Sequence, residues 1–272
     1  MISEKVVLDK MGFACLELFC KKIGVSSSNV IYLEKLGWFI VNNLQPDIPY
    51  VSIYSAMDKC IPIVYQKQEQ KKATEIVAIL KGGNTRTKRK RKKLKPITPL
   101  ALDSDSFRIG HLLAHSILEY VQFEDGQGLN CFHRYNLFYE TREANEFTNK
   151  GFEQDVMPQR LLEIIIENAI GMVDYSKNDS KGSPEKKRLR EFYNLLREKS
   201  LIPKDGSYEY YHLPKNKKLI FYSKLIYNDS SDPIPSAIHL QSKSDDIKLY
   251  FNVIIPNIKD SKYNFQDGTD IL

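Results

Sequence analysis

The chain predicts an α+β protein, and three observations point there. Four stretches carry apolar residues near helical spacing: residues 4–23, 30–44, 159–170 and 186–199. The C-terminal third instead carries short Ile/Leu/Tyr/Phe-rich runs separated by turn residues, the pattern of an antiparallel meander. Hydrophobic residues make up 42% of the 272 residues, enough for a sizeable core. Helices interspersed with, and followed by, such strands define the class.

The elements follow in order. Residues 4–23 form an expected amphipathic helix through Val7, Met11, Leu16 and Phe19, stopped by Gly24. Ser26 to Asn29 offer N-caps for a second helix burying Val30, Leu33, Leu36, Ile40 and Leu44 and ended by Pro46. Trp38, the single Trp, is assigned to the core. Residues 49–66 read as a strand pair that Pro62 weakens, and residues 73–81 as a short ordered element broken by Gly82-Gly83. Between Thr85 and Lys95 stand eight cations in eleven residues, a solvated loop suited either to phosphate or to solubility.

Pro158 fits the first turn of a helix over 159–170, which buries Leu161, Leu162, Ile165, Ile166 and Ala169. A further helix over 186–199 buries Leu189, Phe192, Leu195 and Leu196. Strands are expected at 208–213, 218–227, 236–241 and 248–256.

Composition excludes several classes. No 18-residue apolar run is present, so no membrane-spanning helix is expected. The four cysteines are scattered without a Cys-x-x-Cys pair, which argues against a zinc site and reads as reduced thiols. The start lacks a signal-peptide apolar core, so the expectation is a cytoplasmic chain or one exported by a leaderless route. A net charge of +6 favours a polyanion partner only mildly.

The chemistry concentrates between Phe107 and Ala169. There stand Gly110-His111-Leu112-Leu113-Ala114, then Asn136, Asn145 nine residues later, and Glu153 eight after that. Hydrolysis of a phosphodiester needs a base to activate water and a cation to neutralise phosphoryl charge. A His titrating near 6.5 suits the first task. Magnesium takes oxygen ligands and keeps several waters, so one Asn oxygen with supporting groups suits the second. On a continuous helix Asn145 and Glu153 would lie about 80° apart around the axis.

In these residues the chain resembles the DNA/RNA non-specific endonucleases of the ββα-metal class, which include secreted bacterial nucleases. Their signature is Asp-Arg-Gly-His, an Asn, a second Asn nine residues on, and a Glu eight beyond it. Gly110-His111, Asn136, Asn145 and Glu153 match, as do the aliphatic residues after His111 and the late strand Phe251-Asn252-Val253. The resemblance spans roughly residues 97–260. It implies a ββα-metal core with an antiparallel sheet flanked by helices, and hydrolysis of DNA and also RNA. His111 would be general base and Asn145 the direct ligand of a hydrated magnesium, with manganese as the alternative metal. Glu153 would orient a metal-bound water, and Asn136 would position the His or the phosphate. Arg108, Arg134, Arg142 and Arg160 are the candidate phosphate contacts.

Two adjacent positions depart from the pattern. Arg108-Ile109 stands where the family has Asp-Arg, and Ile109 cannot contact phosphate. This motivates a competing reading, a catalytically degenerate protein that binds nucleic acid or a partner. The division expected from the sequence is a mainly helical segment over 1–80, a basic loop over 81–96 and the nuclease-like domain over 97–272. The first of these is a candidate element for an inhibitor or delivery partner.

Overall fold

Alternation of apolar and polar residues in the C-terminal third produces three consecutive antiparallel strands, β8 (Lys218–Ile226), β9 (Ala237–Ser244) and β10 (Tyr250–Pro256). They are the centre of a sheet in the computed structural model. The structure describes residues 2–42, 63–69, 72–82, 107–114, 117, 122–123, 136–145, 159–171, parts of 190–198, 211–215, 217–246 and 248–258. Earlier strands extend the meander on both sides. They are β1 (Val30–Leu33), β2 (Trp38–Val41), β3 (Ile63–Glu69), β4 (Lys72–Lys81) and the short β6 (Gln122–Phe123). The order across the sheet is β1-β2-β10-β9-β8-β4-β3-β6, antiparallel throughout except for the β3–β6 pair. A second, two-stranded sheet pairs β5 (Phe107–His111) with β7 (Leu137–Thr141).

The N-terminal segment departs from expectation. The single helix over 4–23 is two, α1 (Glu4–Lys10) and α2 (Leu16–Ile23), because Gly12 turns the chain at φ 84°. The helix over 30–44 is instead the β1–β2 hairpin. Gly37 at φ 66° makes the connection, donating to Leu33 O at 2.9 Å, and β2 then pairs with β10. Val30, Leu33, Leu36 and Ile40 are buried as their apolar character required, but on a strand pair. Among the described residues of this segment strands outnumber helices, and β4 pairs with β8 within the same sheet. Aromatic contacts fasten α2 to the hairpin, with Phe13–Phe19, Phe19–Phe39 and Tyr32–Phe39 centroids each 5.1 Å apart. Trp38 is fully buried. Cys15 and Cys20 are free, and burial pushes the Cys20 thiol up to about 11.

Two later helices complete the described residues near the small sheet, α3 (Arg142–Asn145) and α4 (Arg160–Ala169). Helical residues between 190 and 198 bury Tyr193 and Leu195. Residues 211–213, the end of an expected strand, are not a strand, and Leu213 N–H instead donates to Ala169 O at 2.7 Å. No helix among the described residues is long and apolar enough to cross a membrane. The expected strand portion at 49–62 and the basic run at 85–95 lie outside the described residues.

The large sheet has two unlike faces. Ile76, Ala78, Leu80, Leu219, Phe221, Leu225, Leu240 and Val253 enter the apolar core with Leu161, Leu162, Ile165 and Ile166 of α4. The opposite face mixes buried apolar residues such as Val77 and Ile254 with buried polar groups: Tyr222 OH donates to Glu75 Oε2 at 2.8 Å, and His239 Nε2 lies 2.7 Å from Asn252 Oδ1 and 3.0 Å from the Gln241 amide. Burial pushes the His239 imidazole down to about 4, with the Asn252 bond opposing and the Lys224 charge adding to the shift.

A pH dependence follows. The unfolded chain takes up the His239 proton near pH 6.5 and the folded chain only near 4, so this stability is present above 6.5 and is lost as pH falls between those values. The loss amounts to about 3 kcal/mol. Urea unfolding at pH 7.5 and 4.5 should show the gap between the unmodified chain and His239→Gln shifting by that order in the variant's favour at low pH. A pH-independent gap would refute the assignment.

Candidate active site around the small sheet

The small sheet owes its shape to a glycine and a carboxylate on adjacent strands. Arg108 is paired with Glu140 and Gly110 with Phe138, so these four share one face, while Ile109 and His111 share the other. Glu140 is 0% exposed, and its side chain lies across Gly110. A Cβ at position 110 would collide with Glu140 Oε2 and come within 2.8 Å of Glu140 Cβ and the Phe138 ring. Glycine is required there by this close approach.

His111 is the last residue of β5 and is partly buried. The chain beyond it is held by Asn136. Leu112 N–H donates to Asn136 O at 2.9 Å, Leu113 N–H to Asn136 Oδ1 at 2.8 Å, and Asn136 Nδ2 to Leu113 O at 2.8 Å. Asn136 is 0% exposed, so of its two expected tasks the geometry serves the positioning of the His segment and not a phosphate contact.

Asn145 is the last described residue of α3, which starts immediately after β7. Thr141 Oγ1 caps it by accepting from Ala144 N–H at 3.3 Å. Asn145 Nδ2 donates to Glu140 Oε2 at 2.6 Å, and Asn145 Oδ1 has no hydrogen-bond partner among the described residues. Gln159, which the sequence did not single out, joins these parts. Its N–H donates to Ala144 O at 2.8 Å, and its Nε2 reaches His111 O at 3.3 Å, Glu163 Oε1 at 3.3 Å and Glu140 Oε2 at 3.4 Å. The His111 backbone and the Asn145 amide are thus linked through Gln159 and Glu140.

Electrostatics here are dominated by burial. It pushes the Glu140 carboxyl well above its ordinary range, opposed by the Asn145 bond and reinforced by the Glu163 charge. Burial also pushes Glu163 up to about 7 against the pull of Arg160.

The four candidate arginines divide. Arg160 binds Glu163 at 3.2 Å and Glu167 at 2.7 and 3.1 Å, so its guanidinium belongs to the ion pairs of α4 and not to a phosphate-facing set. Arg108 is partly buried and donates to Phe107 O at 3.2 Å, and Arg142 is partly buried at the start of α3. Arg134 and Glu153 lie outside the described residues. Ile109 is 39% exposed. Among the described residues no group of three or more His, Cys, Asp or Glu forms a metal cluster.

The overall fold is one that a bacterial nuclease uses. Crystal structures of NucA from Streptococcus agalactiae, one without metal and one with a magnesium ion bound, superpose with TM-scores of 0.55 and 0.57. Sequence identity is 18% and 17%, over 93% of this chain and 95% of NucA in both cases. No protein-family model matches the chain, and no curated protein matches it in sequence.

Asn136→Ala is expected to lower stability by roughly 2–4 kcal/mol, since two buried backbone groups of Leu113 each lose a partner worth about 1–3 kcal/mol. Urea denaturation is the measurement. Asn136→Asp should fall between the two, retaining an acceptor for Leu113 N–H but setting a second oxygen against Leu113 O. An Ala variant as stable as the unmodified chain would remove this anchoring role.

Proposed function

We propose that the chain is a metal-dependent endonuclease of the ββα-metal kind, hydrolysing phosphodiester bonds of DNA, and of RNA, with little regard to sequence. The observation that carries this reading is the free oxygen of Asn145. Its amide nitrogen is held by a buried carboxylate, so Oδ1 is left as a fixed oxygen donor beside the strand that ends in His111. The antiparallel β5–β7 pair followed directly by α3 supports that reading.

The residues fit a hard divalent cation. Magnesium accepts a single protein oxygen together with waters, and an Asn amide oxygen with a buried carboxylate behind it suits that demand. Bound there, the cation would polarise the phosphoryl group and stabilise the departing oxygen. Asn145 would hold it, with Glu153 as the candidate partner of a bound water. His111 acts as base, taking the proton from the attacking water at its imidazole nitrogen. Asn136 and Gln159 support that imidazole through the backbone at and just after His111. Substrate is recognised through its phosphates, which carry no base information. Arg108, Arg142 and Arg134 are the cations proposed for that task, with the run between Thr85 and Lys95.

Purified protein should cleave plasmid DNA with magnesium or manganese and not with EDTA. His111→Ala should lower the rate by about 10²–10⁴-fold, the usual range for a general base. Folded protein inert with either metal would refute the enzyme reading.

A second reading, a degenerate nuclease that only binds nucleic acid, is favoured by Ile109. That side chain stands on the His111 face, where the related enzymes carry a phosphate-binding Arg. Because Ile109 is exposed, Ile109→Arg should alter stability by no more than about 0.5 kcal/mol. It should raise cleavage or lower KM in a plasmid assay. An Arg variant that binds DNA more tightly yet leaves an inert chain inert would favour the binding-only reading.

A further inference from the structure

Glu140 is the carboxylate behind Asn145. It is fully buried on β7, and Oε1 has no hydrogen-bond partner among the described residues. Oε2 accepts from Asn145 Nδ2 and Gln159 Nε2, both neutral donors. No Lys or Arg among the described residues pairs with it, and Arg160, the guanidinium of the adjacent helix, is engaged by Glu163 and Glu167. An unpaired buried carboxylate is costly, and folds retain one where a cation or a function compensates. Here the fold makes room for it by placing glycine at position 110.

Resting on the reading of Asn145 as a metal ligand, we propose that Glu140 is the positioning residue of the metal site. It grips the Asn145 amide nitrogen and turns Oδ1 toward a divalent cation. The geometry supports each part. An Asn side chain with a free nitrogen could flip and offer N–H to the cation, whereas a 2.6 Å bond from Nδ2 to a carboxylate fixes the assignment of nitrogen and oxygen. Such supporting groups set ligand orientation and basicity in metal sites generally. Strand β7 leads directly into α3, so the carboxylate and the ligand it holds are five residues apart.

The test is metal affinity, measured by titrating manganese into the full chain and reading free metal by electron paramagnetic resonance. Glu140→Gln keeps the shape and an acceptor for Asn145 but removes the charge. Glu140→Ala removes both. Loss of supporting groups typically weakens metal affinity about 10–100-fold, and the Gln variant should lie at the lower end with Ala at or beyond the upper. Raising manganese should restore cleavage in Glu140→Gln, which a purely structural defect would not allow. Glu75→Gln, a change at a buried carboxylate of the large sheet, should leave affinity unchanged. Affinity in Glu140→Gln equal to that of the unmodified chain, or an equal loss in Glu75→Gln, would overturn the proposal.

A measurement on the unmodified chain covers the case of a variant that does not fold. The Asn145 side-chain amide resonances, assigned by their disappearance in Asn145→Ala, should be protected from exchange and should shift when magnesium is added. Rapidly exchanging, unshifted resonances would overturn the proposal. Unchanged manganese affinity in Asn145→Ala is a separate outcome. It would remove the metal assignment itself and this inference with it.

Discussion

The candidate site depends on one buried amide outside it. Asn257, just beyond β10, accepts from Thr141 N–H at 2.7 Å and donates to Tyr139 O at 3.1 Å and Pro235 O at 2.8 Å. A two-stranded sheet in isolation is marginal in water, because it has too little apolar surface to offset the entropy of ordering it. Asn257 bonds the end of β7 to the end of the large sheet, while Leu112, Leu113 and Phe138 enter the common apolar core. The rigidity of His111 and Asn145 is therefore inherited from a ten-residue helix and an eight-stranded sheet that carry none of the proposed chemistry.

Buried polar groups recur, with two different electrostatic solutions. On the large sheet, His239, Asn252 and Gln241 form a neutral group, and burial lowers the imidazole's proton affinity to keep it so. Beside the small sheet the buried groups are acidic. Glu163 and Glu167 are matched by Arg160, whereas Glu140 has only amide donors. An ion pair that satisfies itself contributes to packing. A carboxylate left without a cation marks a place where the fold tolerates a cost, and functional sites are where such costs are commonly tolerated.

The legible parts of the fold were those set by local pattern. The β8–β9–β10 meander and helix α4 lie close to their expected bounds because alternation and helical spacing there agree with the tertiary outcome. Residues 30–44 show the limit. Val30, Leu33, Leu36 and Ile40 satisfy a helical stripe, but the same residues form a hairpin once Gly37 takes a positive φ and Ile40 meets Val253, more than two hundred residues away. Short apolar runs cannot separate the two periods, and a long-range strand partner decides. Of the residues gathered around the small sheet, His111, Asn136 and Asn145 were singled out as candidates by type and spacing. Glu140, Gln159 and Asn257 were not, since their roles exist only across elements that folding brings together. The one local signal was a charged residue within the apolar strand Leu137 to Thr141.

That distinction explains how the described turn of α3 can hold Asn145 in place. Helix formation has a costly nucleus, so the four residues of α3 would not stay helical by themselves. Each end is instead fixed from outside. Thr141, itself bonded to Asn257, caps the start, and Gln159 N–H satisfies Ala144 O near the end. Glu140 then takes the side chain of the last residue. The backbone of α3 is thus placed by the large sheet through Asn257 and by α4 through Gln159, and the rotamer of Asn145 by strand β7. Loosening any of the three would move Oδ1 without altering its chemistry, and small displacements of a ligating or reacting atom are enough to remove most of a site's activity.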